Sequence, residues 1–191
     1  MKISAVTAAA LALVLVSAPL RADPVTEALE SAMETYAEGD LAMTAARLTE
    51  AQKAVAALQA GKLGRFLPEP PEGWTREIDE SASDGMAMMG MGGSIAAADY
   101  TSPAGDHVIL TLAADNPMVI SMAGMLGNPQ MMAMMGELVE FGDQRMVNQS
   151  GEISGLVAGR VLVQASGSAS AEEKTALLGT MDFAGLESYD K

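Results

Sequence analysis

The chain has 191 residues, 25 acidic side chains against 11 basic ones, a net charge of −14, no cysteine and a single histidine, His107. Such a surface repels nucleic acid and anionic lipid. The missing Cys excludes disulfides, cysteine nucleophiles and redox pairs, and one His all but excludes a His/Cys zinc cluster.

Residues Met1 to Ala22 carry Lys2, a largely apolar run from Ala5 to Val16, and a small residue, Ala22, just before the first acid. This is the order of a cleavable secretory signal. The run is shorter than the ~20 residues of a spanning helix. Cleavage is expected after Ala22, because a cut after Ala18 would set Pro19 behind the scissile bond. The mature chain, Asp23 to Lys191, then keeps 9 basic against 25 acidic side chains, a net charge of −16. No Cys follows for a lipid anchor, and the expected location is the periplasm.

From Pro24 onward, apolar residues at Val25, Ala28, Leu29, Ala32, Met33 and Tyr36 follow the i, i+3, i+4, i+7 rhythm of an amphipathic helix. Asp23 caps it, Pro24 suits its first turn and Gly39 ends it. Asp40 then caps a second helix with an apolar stripe of Leu41, Ala45, Leu48, Ala51, Val55 and Leu58. Residues 23–66 are thus expected to form a helical hairpin with the two stripes facing each other. Tyr36 to Asp40, followed by Ala45 and Ala46, is similar to the turn of a tetratricopeptide hairpin. Only one such unit is present, where at least three are normally needed. The hairpin reads as an appendage or arm, with a peptide-binding repeat as the alternative.

Residues 67–73 hold three prolines and deliver the chain, extended, to Trp74, so the domain boundary is expected there. Within 74–191, strands are predicted at Trp74 to Asp79, Ser94 to Thr101, His107 to Ala113, Leu138 to Phe141, Gln144 to Asn148, Ile153 to Ala158 and Arg160 to Ala165. Ser102 to Asp106 and Ala158-Gly159 make hairpin loops. A helical insertion is predicted over Pro117 to Glu137, broken near Gly127-Asn128-Pro129, and a last helix over Ala171 to Leu178. The expected fold class is α+β: an N-terminal helical hairpin followed by an antiparallel-sheet domain with a Met-rich helical insertion.

This order resembles a group of uncharacterised proteobacterial periplasmic proteins. Its residues are Leu67-Pro68-Glu69-Pro70-Pro71-Glu72-Gly73-Trp74, then Gly159-Arg160-Val161-Leu162-Val163, then Met181-Asp182-Phe183-Ala184-Gly185-Leu186. The same stretch, roughly Leu67 to Leu186, resembles the broader Mog1/PsbP-like α+β fold. The resemblance implies a binding or assembly module rather than an enzyme, and maps no catalytic residue.

Eleven of the 16 methionines fall between Met86 and Met135: Met86, Met88, Met89 and Met91, then Met118, Met122 and Met125, then Met131, Met132, Met134 and Met135. Two readings stay open. Thioethers select Cu(I), and Met118, Met122 and Met125 fall on one helical stripe, close enough to share an ion. Alternatively, unbranched Met fills gaps in a core short of aromatics, or makes an adaptable contact surface. A copper site often recruits His or Cys, yet His107 sits in a strand and reads as structural.

No charged residue occurs over the 21 positions from Asn116 to Gly136. Pro117, Asn128, Pro129 and Gln130 would break a spanning helix, so a buried helix-turn-helix is the first reading. A flap touching a partner or a membrane surface is the second.

The chain holds no G-x-S-x-G elbow and no P-loop. Gly90-Met91-Gly92-Gly93 lacks the strand and helix of a phosphate cradle and reads as a flexible loop. Glu77, Asp79, Glu80 and Asp84 could suggest Ca²⁺, but Glu77 and Asp79 read as the solvated face of a strand. The expectation is a non-enzymatic, cofactor-free binding or accessory protein. Its contact surface is Met118, Met122, Met125, Met131, Met132, Met134 and Met135, and its partner is another protein or an apolar ligand. The alternative is a Cu(I) metallochaperone that uses Met118, Met122 and Met125.

Overall fold

The computed structural model describes residues 23–83, 93–115 and 117–189. The expected export signal, Asp84, the Met86 to Met91 cluster and most of the Gly90 to Gly93 stretch lie outside the described residues. Two helices, α1 (Pro24–Ala37) and α2 (Leu41–Gly64), precede a seven-stranded antiparallel sheet. Its strands are β1 (Thr75–Asp79), β2 (Ser94–Thr101), β3 (His107–Ala114), β4 (Glu137–Phe141), β5 (Gln144–Gln149), β6 (Glu152–Val157) and β7 (Val161–Ser166). Helices α3 (Pro117–Leu126) and α4 (Pro129–Met135) link β3 to β4, while α5 (Ala171–Leu178) and α6 (Phe183–Glu187) close the chain. The fold is α+β.

Spatial order in the sheet is β1-β2-β3-β7-β6-β5-β4. Two meanders, β1 to β3 and β4 to β7, therefore meet along one seam, where Ile109 pairs with Ser166 and Ala114 with Val161. Tight turns hold each meander in register. Ala158 and Gly159 both take positive φ, as do Ser150 and Gly151, which matches the twist of the flanking strands. The β2–β3 loop closes with Gly105 N donating to Ser102 O at 2.9 Å and Ser102 N to Asp106 O at 2.8 Å.

Alternating side chains give the sheet two apolar faces. Val108, Leu110, Leu112, Val161, Val163 and Met146 point to one, where Leu63, Leu177, Leu178 and Leu186 from α2, α5 and α6 cover them. Ile95, Ala113, Leu162, Leu156 and Val147 point to the other, covered by Val119, Leu126 and Met132 of α3 and α4. Lys174 is buried under α5, its Nζ donating to Gly151 O at 2.6 Å and Gly167 O at 2.8 Å. Those two carbonyls answer the cost of placing an ammonium in the interior.

The two expected stripes of the hairpin meet, but only through their small members. Its helices meet through small residues: Ala32 and Ala51 are buried, and the Thr35 and Thr44 hydroxyls lie 3.2 Å apart. Leu29, Met33, Tyr36, Leu41, Leu48, Val55 and Leu58 stay exposed. A three-residue turn, Glu38 to Asp40, joins the two helices.

Pro68 to Pro71 carry no regular structure and, unlike the extended delivery expected, a turn at Glu72-Gly73 closed by Trp74 N donating to Pro71 O at 3.0 Å leads into β1, while Leu67 and Pro68 are buried. Tyr100 Oη donates to Pro68 O at 2.7 Å, and Arg76 Nη1 donates to the same oxygen at 2.8 Å. The last turns of α2 pack on β2, with Leu63 fully buried in the main core.

Candidate functional site

Helices α3 and α4 form because their punctuation is local. Pro117 and Pro129 each open a helix, where a missing N–H costs nothing. Asn128 caps α4 by accepting from Gln130 N at 3.0 Å. Gly136 ends α4 against β5, so closely that a Cβ there would run into Asn148 O. The pair is thereby pinned at both ends between β3 and β4.

The predicted methionines divide between two environments. Met132 is 2% exposed and belongs to the core beneath the helices, and Met122 and Met135 are half-buried against the same cluster. Met125 and Met131 are exposed, and Met134 projects into solvent at 84% exposure. Met118 lies in the first turn of α3, with its side chain outside the described set. The structure does not gather the seven side chains into one site: the outward face carries Met125, Met131 and Met134, and the inward one Met132.

Two outward apolar residues went unnoticed in the sequence, Ile120 at 73% exposure and Leu138 on β4. For Ile120 the signal was available, since a helical step of about 100° per residue turns it off the face that Val119 and Leu126 share. The surface carries no charge of its own over 117–136. At its start Asp115 is neutralised by Arg160, whose Nη2 lies 2.7 Å from Asp115 Oδ2. Such a face can offer dispersion and soft thioether contact.

The carboxylates of β1 stay on a solvated face. Glu77 stands opposite Asp99 in the β1–β2 register, and His107 Nδ1 lies 3.0 Å from Asp99 Oδ1. Asp79 is turned onto Ser81, whose hydroxyl donates at 2.6 Å and, with the Ser81 N–H, holds that carboxyl below its ordinary range. Among the described residues no group of three or more His, Asp or Glu side chains converges to hold a metal ion. A groove of about 490 Å³ runs between α2 and the β1–β2 edge, floored by Ala57, Ala60, Gly61 and Gly64 and walled by Ile78 and Ile95.

Scans of family models, curated proteins and solved structures each find no match to this chain. Among the described residues no helix is long and apolar enough to cross a membrane.

Proposed function

We propose that the chain is a non-enzymatic periplasmic binding or accessory protein that contacts a partner protein or apolar ligand through the outward face of α3 and α4. The observation that carries this reading is Met134, 84% exposed, with Met125, Met131 and Ile120 exposed as well on two helices that hold no charged residue. Exposed apolar patches of this kind mark interaction sites, and flexible thioether side chains adapt to more than one contact shape. The periplasmic setting rests on the residue order of Met1 to Ala22. The resemblance of Leu67 to Leu186 to Mog1/PsbP-like domains favours binding over catalysis.

The test compares the native protein with the quadruple variant Ile120→Ser, Met125→Gln, Met131→Gln, Met134→Gln as baits in periplasmic extract. A partner captured by the first and lost by the second, at unchanged thermal stability, supports the reading. Equal capture by both removes it. Titration with Cu(I) against a competing chelator examines the metallochaperone alternative. Failure to compete eliminates copper, whereas tight binding lost on replacing Met118, Met122 and Met125 with Leu would displace the contact surface as the primary function.

A further inference from the structure

We infer that the apolar face of the α1–α2 hairpin seats a second copy of this chain, the two hairpins closing a four-helix bundle in which α1 of one protomer lies on α2 of its partner. The first observation is an inverted allocation of side chains. The seam within the hairpin is made of Ala32, Ala51, Thr35 and Thr44, while the larger apolar residues stand outside it. Met33 is 72% exposed, Leu41 68% and Tyr36 67%, and Leu29, Leu48 and Val55 are exposed as well.

These six fall on one side. Leu29, Met33 and Tyr36 are spaced by four and three, and Leu41, Leu48 and Val55 by seven and seven, the heptad rhythm of a helix that packs along a seam. The two stripes adjoin, since Leu29, Leu48 and Val55 line one groove of about 320 Å³. The opposite flank of the hairpin is polar, with Glu27, Ser31, Arg47 and Glu50. Folding the hairpin alone leaves this seam open, and a second identical seam completes it with the self-complementary contact of a two-fold dimer.

Charge selects both the partner and the pairing. Outside the polar flank, where Glu27 lies and Arg47 pairs with Glu50, α1 keeps Glu30 and Glu34 and no Lys or Arg, and α2 keeps Lys53 and Lys62. In a chain of net charge −14, α2 is an element of net positive charge, and the acidic helix of another copy complements it. Placing α1 on α1 would oppose two acidic helices. An anionic lipid surface suits the face poorly, because interfacial helices carry Lys and Arg on their polar side and α1 has neither.

Sedimentation velocity on protein expressed from its full sequence, between roughly 1 and 100 μM, should show a concentration-dependent dimer. Leu48→Glu and Met33→Glu should each weaken it by about tenfold or more while leaving the thermal transition cooperative. Because the chain has no Cys, introduced thiols report the pairing. A mixture of Met33→Cys and Leu48→Cys proteins should form the mixed disulfide in preference to the Met33→Cys homodimer. A monomer throughout that range, or a dimer indifferent to both Glu variants, overturns the proposal. Dominant Met33→Cys homodimer overturns the pairing of α1 with α2.

Discussion

Tyr100 fastens the proline-rich stretch after α2 to the sheet, with its ring fully buried and its hydroxyl on Pro68 O. Burial pushes its phenol up to about 12, against the opposing pull of the hydrogen bond and charge of Arg76. An acid whose pKa is raised by folding favours the neutral form. Its contribution is therefore complete below the unfolded value near 10 and is lost as pH rises from about 10 to about 12. Denaturant midpoints should decline across that window, and in Tyr100→Phe this component of the decline should vanish. At neutral pH the same substitution should cost ~1 kcal/mol for the lost buried hydrogen bond. Gly155 tests packing at the same scale: it pairs with Met146, which is fully buried, and a Cβ on it would meet the Met146 side chain at 2.5 Å. Gly155→Ala should destabilise by ~1–3 kcal/mol through overpacking, read as a lower urea midpoint at constant m-value.

At the scale of elements, α3 and α4 separate a methionine that packs from one that contacts. Met132→Ala should cost ~2–5 kcal/mol, and Met134→Ala should stay within ~0.5 kcal/mol. Equal costs would mean that α4 is turned otherwise than described here. The insertion should also exchange its amides before those of Val161 to Val163, since α4 has seven residues and is anchored mainly through Met132. Strand positions were legible in the sequence because Gly, Pro and Asp punctuate nearly every one, and the break between α3 and α4 was announced by Asn128-Pro129. Helix α6 was missed: five residues ending at Glu187 are too few to show a period, and Asp182 capping Gly185 N at 2.8 Å is the local signal that could have found it. Amphipathic spacing found both stripes of the hairpin, but it ranks residues by hydrophobicity, whereas which of them enter a close antiparallel seam is decided by size. For the same reason seven methionines read as one surface. Spacing cannot tell which stripe of a helix apolar on all sides meets the sheet.

Over the whole molecule, the hairpin and the sheet share a helix. Leu63 lies in the main core, and Gln59 accepts from the Ser94 hydroxyl at 3.2 Å and, through its backbone oxygen, from the Tyr189 hydroxyl at 3.0 Å. A chain starting at Leu67 should therefore lose ~2–5 kcal/mol and melt on the order of 10 °C lower, whereas one starting at Asp40, lacking only α1, should keep its transition in calorimetry. The two meanders carry a different implication. Each is contiguous in sequence, and among the described residues strand pairing joins them only along β3 and β7. The α3–α4 connection therefore contributes tethering rather than sheet pairing, and a cut between Gly127 and Asn128 leaves both groups of strands whole. Coexpressed as two polypeptides, the halves should find each other and reconstitute the sheet, while Leu112→Asp at the seam should abolish complementation. The protein is in this sense a ready-made split reporter.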